Sequence, residues 1–245
     1  MEYAEELRKI IKEARRVVFF GGAGVSTDSG IPDFRGNGGL YTGEQDTDVP
    51  PETVLSAEYL YIHPERFFAY YRRHMIYPDA TPNPTHLALA QLENREYIQS
   101  MTVITQNIDG LHQAAGSKNV LELHGSVHRN YCVKCGKRHD LGYVLNSSDV
   151  PRCTACGGMV RPDVVLYGEP LNGRAFYQAQ DAVCDADLLI VGGTSLTVYP
   201  AASLVHEFSG EHLVIINRTP TAYDGFAEYV IRDSLSEVMT ALLQE

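Results

Sequence analysis

The sequence predicts an α/β chain built on a Rossmann-like, doubly wound parallel sheet with a smaller module inserted. Three observations predict it. Short, continuously apolar runs such as Val17–Phe20 and 187–192 (DLLIVG) alternate with helical stretches, as parallel strands covered on both faces do. Several of those runs end in small or polar turns, the usual ligand-binding edge of an open α/β sheet. Two segments, 37–84 and 126–160, break the alternation, and the second contains paired cysteines.

The elements follow in order. Residues 3–15 set Leu7, Ile10, Ile11 and Ala14 at the spacing of an amphipathic helix. Apolar runs predict strands at 17–20, 101–105, 120–123, 187–192, 213–216 and 229–231. Helical patterns occupy 85–93, 174–184, 200–208 and 235–243, with one more from Pro64 to about Tyr77. Right-handed crossovers between such strands give the doubly wound arrangement. A chain of 245 residues can bury a large core. Residues 1–36, 85–125 and 161–245 are assigned to the large domain, and 37–84 with 126–160 to the smaller module.

Composition narrows the class. With 44% hydrophobic and 21% charged residues the chain is globular. Its net charge of −11 repels duplex DNA and suits a basic partner such as a lysine-rich peptide. No direct nucleic-acid contact is expected. No apolar run reaches the length of a membrane span, and MEYAEELRKI lacks the hydrophobic centre of a secretion signal. A cytoplasmic protein that does not engage a membrane is expected. Five cysteines in such a chain indicate a metal or redox role before a disulfide scaffold.

Cys132-Val-Lys-Cys135 and Cys153-Thr-Ala-Cys156 are separated by seventeen residues. Four thiolates at this spacing suit tetrahedral Zn²⁺, and four protein ligands leave no open position, so the role is structural. The smaller module is therefore read as zinc-binding and helical. Two redox pairs or free core cysteines are the alternatives. Cys184 reads as ordinary helix packing.

The run Gly22-Ala23-Gly24-Val25-Ser26-Thr27 follows a strand and resembles a dinucleotide-binding turn, with Thr27 where a third glycine would stand. A helix cap after a strand reads the same way. Asp33, Phe34 and Arg35 then crowd a carboxylate, an aromatic face and a guanidinium just beyond it. Gly193, Thr194 and Ser195 end a second strand, and Asn217 and Thr219 follow a third. Three such strand ends form one crevice for a large phosphorylated, hydroxyl-rich ligand, for which NAD is the natural candidate. Gln106, Asn107 and Asp109 end another strand and suit hydroxyls or a carboxamide, although Asn-x-Asp-Gly is also a good turn. His124 shares that edge, where an imidazole serves as a general base; a packing role is the alternative.

Together these residues resemble the sirtuins, NAD-dependent protein-lysine deacylases. The resemblance runs through GAGVSTDSGIPDFRG (22–36), TQNIDGLH (105–112), LHG (123–125) and the four cysteines. It continues through RPDVVLYGE (161–169), GTSLTVYP (193–200) and INRTP (216–220), covering nearly the whole chain. It implies that Ala23, Gly24, Thr194, Ser195 and Asn217 hold the adenosine and diphosphate, with Asp233 reaching the adenine through its backbone. It implies that Asn107, Asp109, Ile31 and Asp33 surround the nicotinamide, that Gln106 meets its ribose and that Phe34 shields the reacting centre. An acylated peptide, on the same resemblance, adds as a strand between Val165–Gly168 and Leu196–Val198, with Val165 and Tyr167 lining the acyl-lysine tunnel. The implied reaction moves the acyl group onto ADP-ribose, releasing nicotinamide and free lysine. His124 takes a ribose hydroxyl proton, and zinc has no part in it.

Sirtuins acting on succinyl or malonyl groups carry a Tyr-x-x-Arg pair. Here Tyr70 and Arg73 have that spacing one residue out of register, and Tyr71 pairs with His74 in register. Deacetylation is expected, with longer or acidic acyl groups as the alternative. A zinc-containing dehydrogenase and an NAD- or ADP-ribose-binding sensor without turnover are the competing readings.

Overall fold

The computed structural model describes residues 3–34, 36, 39–41 and 48–243. The main sheet takes β1 (Arg16–Gly21), β2 (Ser100–Thr105) and β3 (Val120–Glu122) from the first half of the chain. In the first half the chain also forms α1 (Ala4–Glu13), α2 (Pro51–Val54), α3 (Ala57–Ile62), α4 (Pro64–His74), α5 (Pro84–Glu93) and α6 (Leu111–Ala114). A second, three-stranded sheet comprises β4 (Gly125–Cys132), β5 (Arg138–His139) and β6 (Val160–Val164), with α7 (Leu141–Leu145) beside it. The chain then returns through α8 (Gly173–Asp185), β7 (Leu188–Gly192), β8 (His212–Ile216), β9 (Tyr229–Ile231) and α9 (Leu235–Leu243).

The main sheet has the order β3-β2-β1-β7-β8-β9, and every pairing in it is parallel. Its strands alternate between two cores. Val17, Phe19, Met101, Val103, Leu188, Ile190, Val214 and Ile216 enter one, packed with residues of α1, α5 and α9. Val18, Phe20, Ile104, Leu189, Val191, Leu213 and Ile215 enter the other, packed with Ala179 and Val183 of α8. Burial on both faces is why these strands read as unbroken apolar runs.

The order reverses between β1 and β7: connections from β1 run one way across the sheet and those from β7 the other. A crevice opens at such a reversal, at the carboxyl ends of the strands.

The second sheet is antiparallel, with a bulge between Ser126 and Asn130. A third core joins Val54, Leu60, Phe67, Phe68 and Tyr71 of α2–α4 with Val127, Val144, Met159 and Leu166. The two irregular segments thus pack on each other, and β6 belongs to this second sheet.

The second sheet is absent from the sequence reading, which predicts no strand at β4, β5 or β6, and two predicted helices differ. The helix begun at Pro64 ends at His74 instead of Tyr77. Pro78 disfavours helical backbone at the residue before it, and the basic last turn of Arg72, Arg73 and His74 suits a helix carboxyl end. The stretch expected as a helix at 200–208 is a 3-10 helix over Ala201–Glu207.

Candidate active site

One cleft of about 1060 Å³ lies along the carboxyl edge of the main sheet and reaches the second module. Its floor is the meeting of two glycine turns. The Gly24 N–H donates to the Gly193 carbonyl at 2.8 Å, and the Gly22 N–H to Gly192 at 3.3 Å. A Cβ on Gly24 would stand 2.8 Å from the Gly193 Cα, so only glycine permits this approach. Gly22, Ala23, Gly24, Gly193, Thr194 and Ser195 all line the cleft. Gln106 ties the β2 end to this floor through its Nε2, 3.1 Å from Thr194 Oγ1.

A polar knot sits beside the floor. Ser26, fully buried, donates from Oγ to Asp109 Oδ2 at 2.7 Å and accepts from Asn107 Nδ2 at 3.0 Å. Asp109 Oδ1 also accepts the Leu111 N–H at 2.9 Å, and the Asn107 N–H donates to Thr105 Oγ1 at 3.0 Å. The loops after β1 and β2 are thereby locked together. Sequence reasoning singled out Asn107 and Asp109 but missed Ser26 as their bridge, although it lies within the same glycine-rich run.

His124 faces this cleft from the β3 end. Its Nδ1 lies 2.9 Å from the Gln106 carbonyl oxygen, which only accepts, so Nδ1 carries the hydrogen and Nε2 keeps the lone pair. Burial pushes the imidazole pKa below its ordinary value, opposed by that hydrogen bond. The ring is therefore neutral and basic at Nε2 near neutral pH.

Asn217, Asp233, Ile31, Asp33 and Phe34 line the same cleft. The Asn217 side chain donates to the Thr219 carbonyl at 2.9 Å, and Asp233 accepts from Tyr3 at 2.5 Å. Arg35 lies outside the described residues.

The Val165–Gly168 segment forms the far wall. Buried Arg161 bonds both Glu169 oxygens, at 2.6 and 2.9 Å, and donates to the Val164 carbonyl. Glu169 in turn accepts the Leu166 N–H, which closes the segment on itself. Val165 donates to the His124 carbonyl, while Tyr167 exchanges backbone bonds with Leu55 and Ala57. Among the described residues, the Val165 carbonyl and the Gly168 N–H keep no backbone partner, as an acceptor for an added strand requires.

Val165, Tyr167, Gly168 and Val198 line the cleft, whereas the Leu196 side chain is buried in the core beside β7. Any role of Leu196 at the cleft therefore falls to its backbone. Tyr71 and His74 line the cleft, while Tyr70 and Arg73 do not.

Away from the cleft, the sulfurs of Cys132, Cys135, Cys153 and Cys156 lie within 4.8 Å of one another. The Cys132–Cys156 and Cys135–Cys153 separations are 3.4 and 3.7 Å. These are too long for disulfides and close to the ~3.7 Å between thiolates around one tetrahedral zinc. The donor set fits a structural zinc.

An α/β fold with a glycine-floored nucleotide crevice, a neutral imidazole and a four-cysteine module defines a class of nucleotide-using enzymes with a structural metal. The Sir2 family model matches residues 22–200, and the chain belongs to that family. It is 51% identical to an NAD-dependent protein deacetylase of Clostridium acetobutylicum, covering 99% of each chain. It is 54% identical to one of Cutibacterium acnes, covering 97% and 96%. Among solved structures, a Sir2 complex with a p53 peptide and NAD+ superposes with a TM-score of 0.85 at 41% identity, over 98% of this chain and 96% of that one. A Sir2 variant with a deacetylated p53 peptide and 3′-O-acetyl ADP ribose gives 0.88 at 40%, with the same coverage.

Proposed function

We propose that this protein is an NAD-dependent protein-lysine deacetylase that acts on acetylated peptides and proteins. The observation that carries the reading is the convergence, in one cleft, of the His124 Nε2 lone pair, the Ser26–Asn107–Asp109 knot and the paired glycine turns. The names of relatives at 51% and 54% identity agree with it.

In this reading the backbone of Gly22, Ala23 and Gly24, with Gly193, Thr194, Ser195 and Asn217, holds the adenosine and diphosphate, and Asp233 borders the adenine. Asn107 and Asp109 hold the nicotinamide end in a fixed orientation because Ser26 leaves them no rotamer freedom. Gln106 faces the ribose, Ile31 and Asp33 join Asn107 and Asp109 around the nicotinamide, and Phe34 shields the reacting centre. NAD, when bound, supplies a leaving group and an electrophilic sugar carbon. His124 then takes a hydroxyl proton at Nε2 while its Nδ1–H stays bonded to Gln106, which keeps the ring aimed through the transfer. The peptide adds as a strand at the Val165 carbonyl and Gly168 N–H, opposite Leu196 and Val198. Cys132, Cys135, Cys153 and Cys156 hold one zinc in a closed set, and no step passes through it.

A further feature supports acetyl over acidic acyl groups. The in-register pair at the cleft is Tyr71 and His74, and the exposed Arg73 guanidinium lies off it. The four thiols suit a reducing cytoplasm, and the net charge of −11 suits basic peptides better than nucleic acids. Among the described residues no helix is long and apolar enough to cross a membrane. We also divide the chain at the boundaries given above (1–36, 85–125 and 161–245 against 37–84 and 126–160); the third core supports the union of 37–84 with 126–160, and β6 with Leu166 reaches into it from the larger part.

Incubation with NAD and an acetyl-lysine peptide tests the reading. Free nicotinamide with deacetylated peptide is the expected outcome. NADH instead would indicate a dehydrogenase, and neither product a binding module.

A further inference from the structure

The loop after β8 brings to the cleft a cation that the proposed reaction does not use. Among the described residues lining the cleft, Arg218 is the only lysine or arginine. It is exposed, and among the described residues its guanidinium has no hydrogen-bond or ion-pair partner. In the sheet order β8 stands four strands from β3, which leads into His124. At ~4.8 Å per strand that is about 19 Å along the carboxyl edge, so Arg218 belongs to the adenosine end and not to the reacting centre.

The loop is held from behind. The Arg232 guanidinium donates to the Asn217 carbonyl at 2.8 Å and to the Thr219 carbonyl at 3.0 Å, and it pairs with Asp224. Asp224 also accepts the Thr221 N–H and hydroxyl, at 3.1 and 2.8 Å, so its charge is satisfied within its own loop. Two other carboxylates line the cleft near the last strands and oppose an anion there. Asp233 takes the Tyr3 hydroxyl and Asp28 the Ser236 hydroxyl, each at 2.5 Å. Neither lies on the β8 loop itself, which offers Asn217, Arg218 and Thr219 and no acid.

Adenine dinucleotides are sorted at the adenosine ribose. A carboxylate that accepts from the 2′-hydroxyl turns a 2′-phosphate away, whereas a nearby arginine receives it. Here the strand end supplies the arginine. A guanidinium presents a planar fork of donors to two phosphate oxygens, and Arg218 breaks no existing bond to do so. Asn217 donates to Thr219, which leaves its Oδ1 to accept from a ribose hydroxyl. We propose that Arg218 makes the cleft a site for 2′-phosphorylated adenine dinucleotides, so that NADP competes with NAD for it. This rests on the reading above for the placement of adenosine beside Asn217.

The test titrates the protein calorimetrically with ADP-ribose and with its 2′-phosphate, neither of which carries a nicotinamide to lose. In the unmodified protein the 2′-phosphate is expected to bind at least as tightly as ADP-ribose, and each ligand to displace the other. Its advantage should shrink with added salt, as the screening length falls from about 10 Å at 0.1 M to about 3 Å at 1 M. Arg218→Gln should weaken the 2′-phosphate by about tenfold or more, the size of a lost charge-assisted hydrogen bond, and change ADP-ribose by less than about twofold. Arg218→Lys, which keeps the charge without the fork, should fall between the two. The proposal is overturned if the unmodified protein binds the 2′-phosphate more weakly than ADP-ribose, if the ligands do not displace each other, or if Arg218→Gln leaves the ratio of their affinities unchanged. Failure of both ligands to bind would remove the nucleotide reading as well, whereas tight ADP-ribose with a rejected 2′-phosphate removes only this proposal.

Discussion

Replacing Gly193 with alanine strikes the floor of the cleft. Gly193 has φ +60°, and a Cβ there would stand 2.5 Å from the Val25 nitrogen and 2.7 Å from the Gly24 carbonyl carbon. Both are backbone atoms of the facing turn, so no side chain can swing aside. Left-handed backbone costs a residue with a Cβ about 1–2 kcal/mol, and forced overpacking adds about 1–3 kcal/mol. The expected loss is about 2–5 kcal/mol. Gly30 supplies the control, since φ is +82° and nothing lies within 4 Å of the added Cβ. Gly30→Ala should lose only the backbone part, about 1–2 kcal/mol. Urea unfolding at matched slopes measures both. Because relief of the clash must push Gly24 away from Gly193, Gly193→Ala should also weaken binding of an uncleavable NAD analogue by about tenfold, a 1.4 kcal/mol effect. Equal destabilisation by the two substitutions, or unaltered analogue binding by Gly193→Ala, would refute the reasoning.

Three further outcomes are expected. His124→Ala should lower kcat by about 10²-fold or more with zinc content and unfolding midpoint unchanged; because burial lowers the pKa of His124, the acid limb of the unmodified enzyme's kcat/KM profile should fall below pH 6.5. Cys153→Ala should lower the unfolding midpoint and release zinc, seen by metal analysis, and a stable, fully active, zinc-free variant would contradict the structural role. Burial holds the folded-state pKa of His86 at about 4 and of His112 at about 3, so the unfolded chain binds protons first as pH falls through 6.5. Their contribution is complete above pH 6.5 and drains away below it, by about 2 kcal/mol for each ring between pH 7 and 5, and denaturant titrations should lose that slope in His112→Phe.

The main sheet was legible because its strands are buried on both faces, which leaves continuous apolar runs of strand length bounded by turn residues. The strand at 229–231 emerges with the expected bounds, and the others within a residue or two. The cleft was legible because each strand end is marked by small or polar residues. What escaped depends on partners far apart in sequence. Ser26 gains its role only when the β2 loop lays Asn107 and Asp109 against it. His86 and His112 become a buried edge-to-face pair, ring centroids 4.7 Å apart, only when α5 and α6 meet. Asn83, which caps α5, also donates to the Val25 carbonyl at 2.7 Å, a contact that no local pattern announces. Leu196 follows the β7 turn with a φ of +54°, and its side chain goes into the core beside β7, a direction that no local pattern announces.

The topology explains why a zinc module with no chemistry of its own stands beside the active cleft. One irregular segment leaves the main sheet after β1 and the other after β3, both at the carboxyl edge. Parallel strands send every such connection to the same side, so the two segments must meet above the crevice opened by the β1–β7 reversal. Their shared core then presents Tyr71, Val127 and the Val164–Glu169 turn as a wall facing the glycine floor. A metal that joins the end of β4 to the loop leading into β6 acts on catalysis through the position of that wall. Its removal should therefore raise the KM for peptide before it alters the proton transfer at His124.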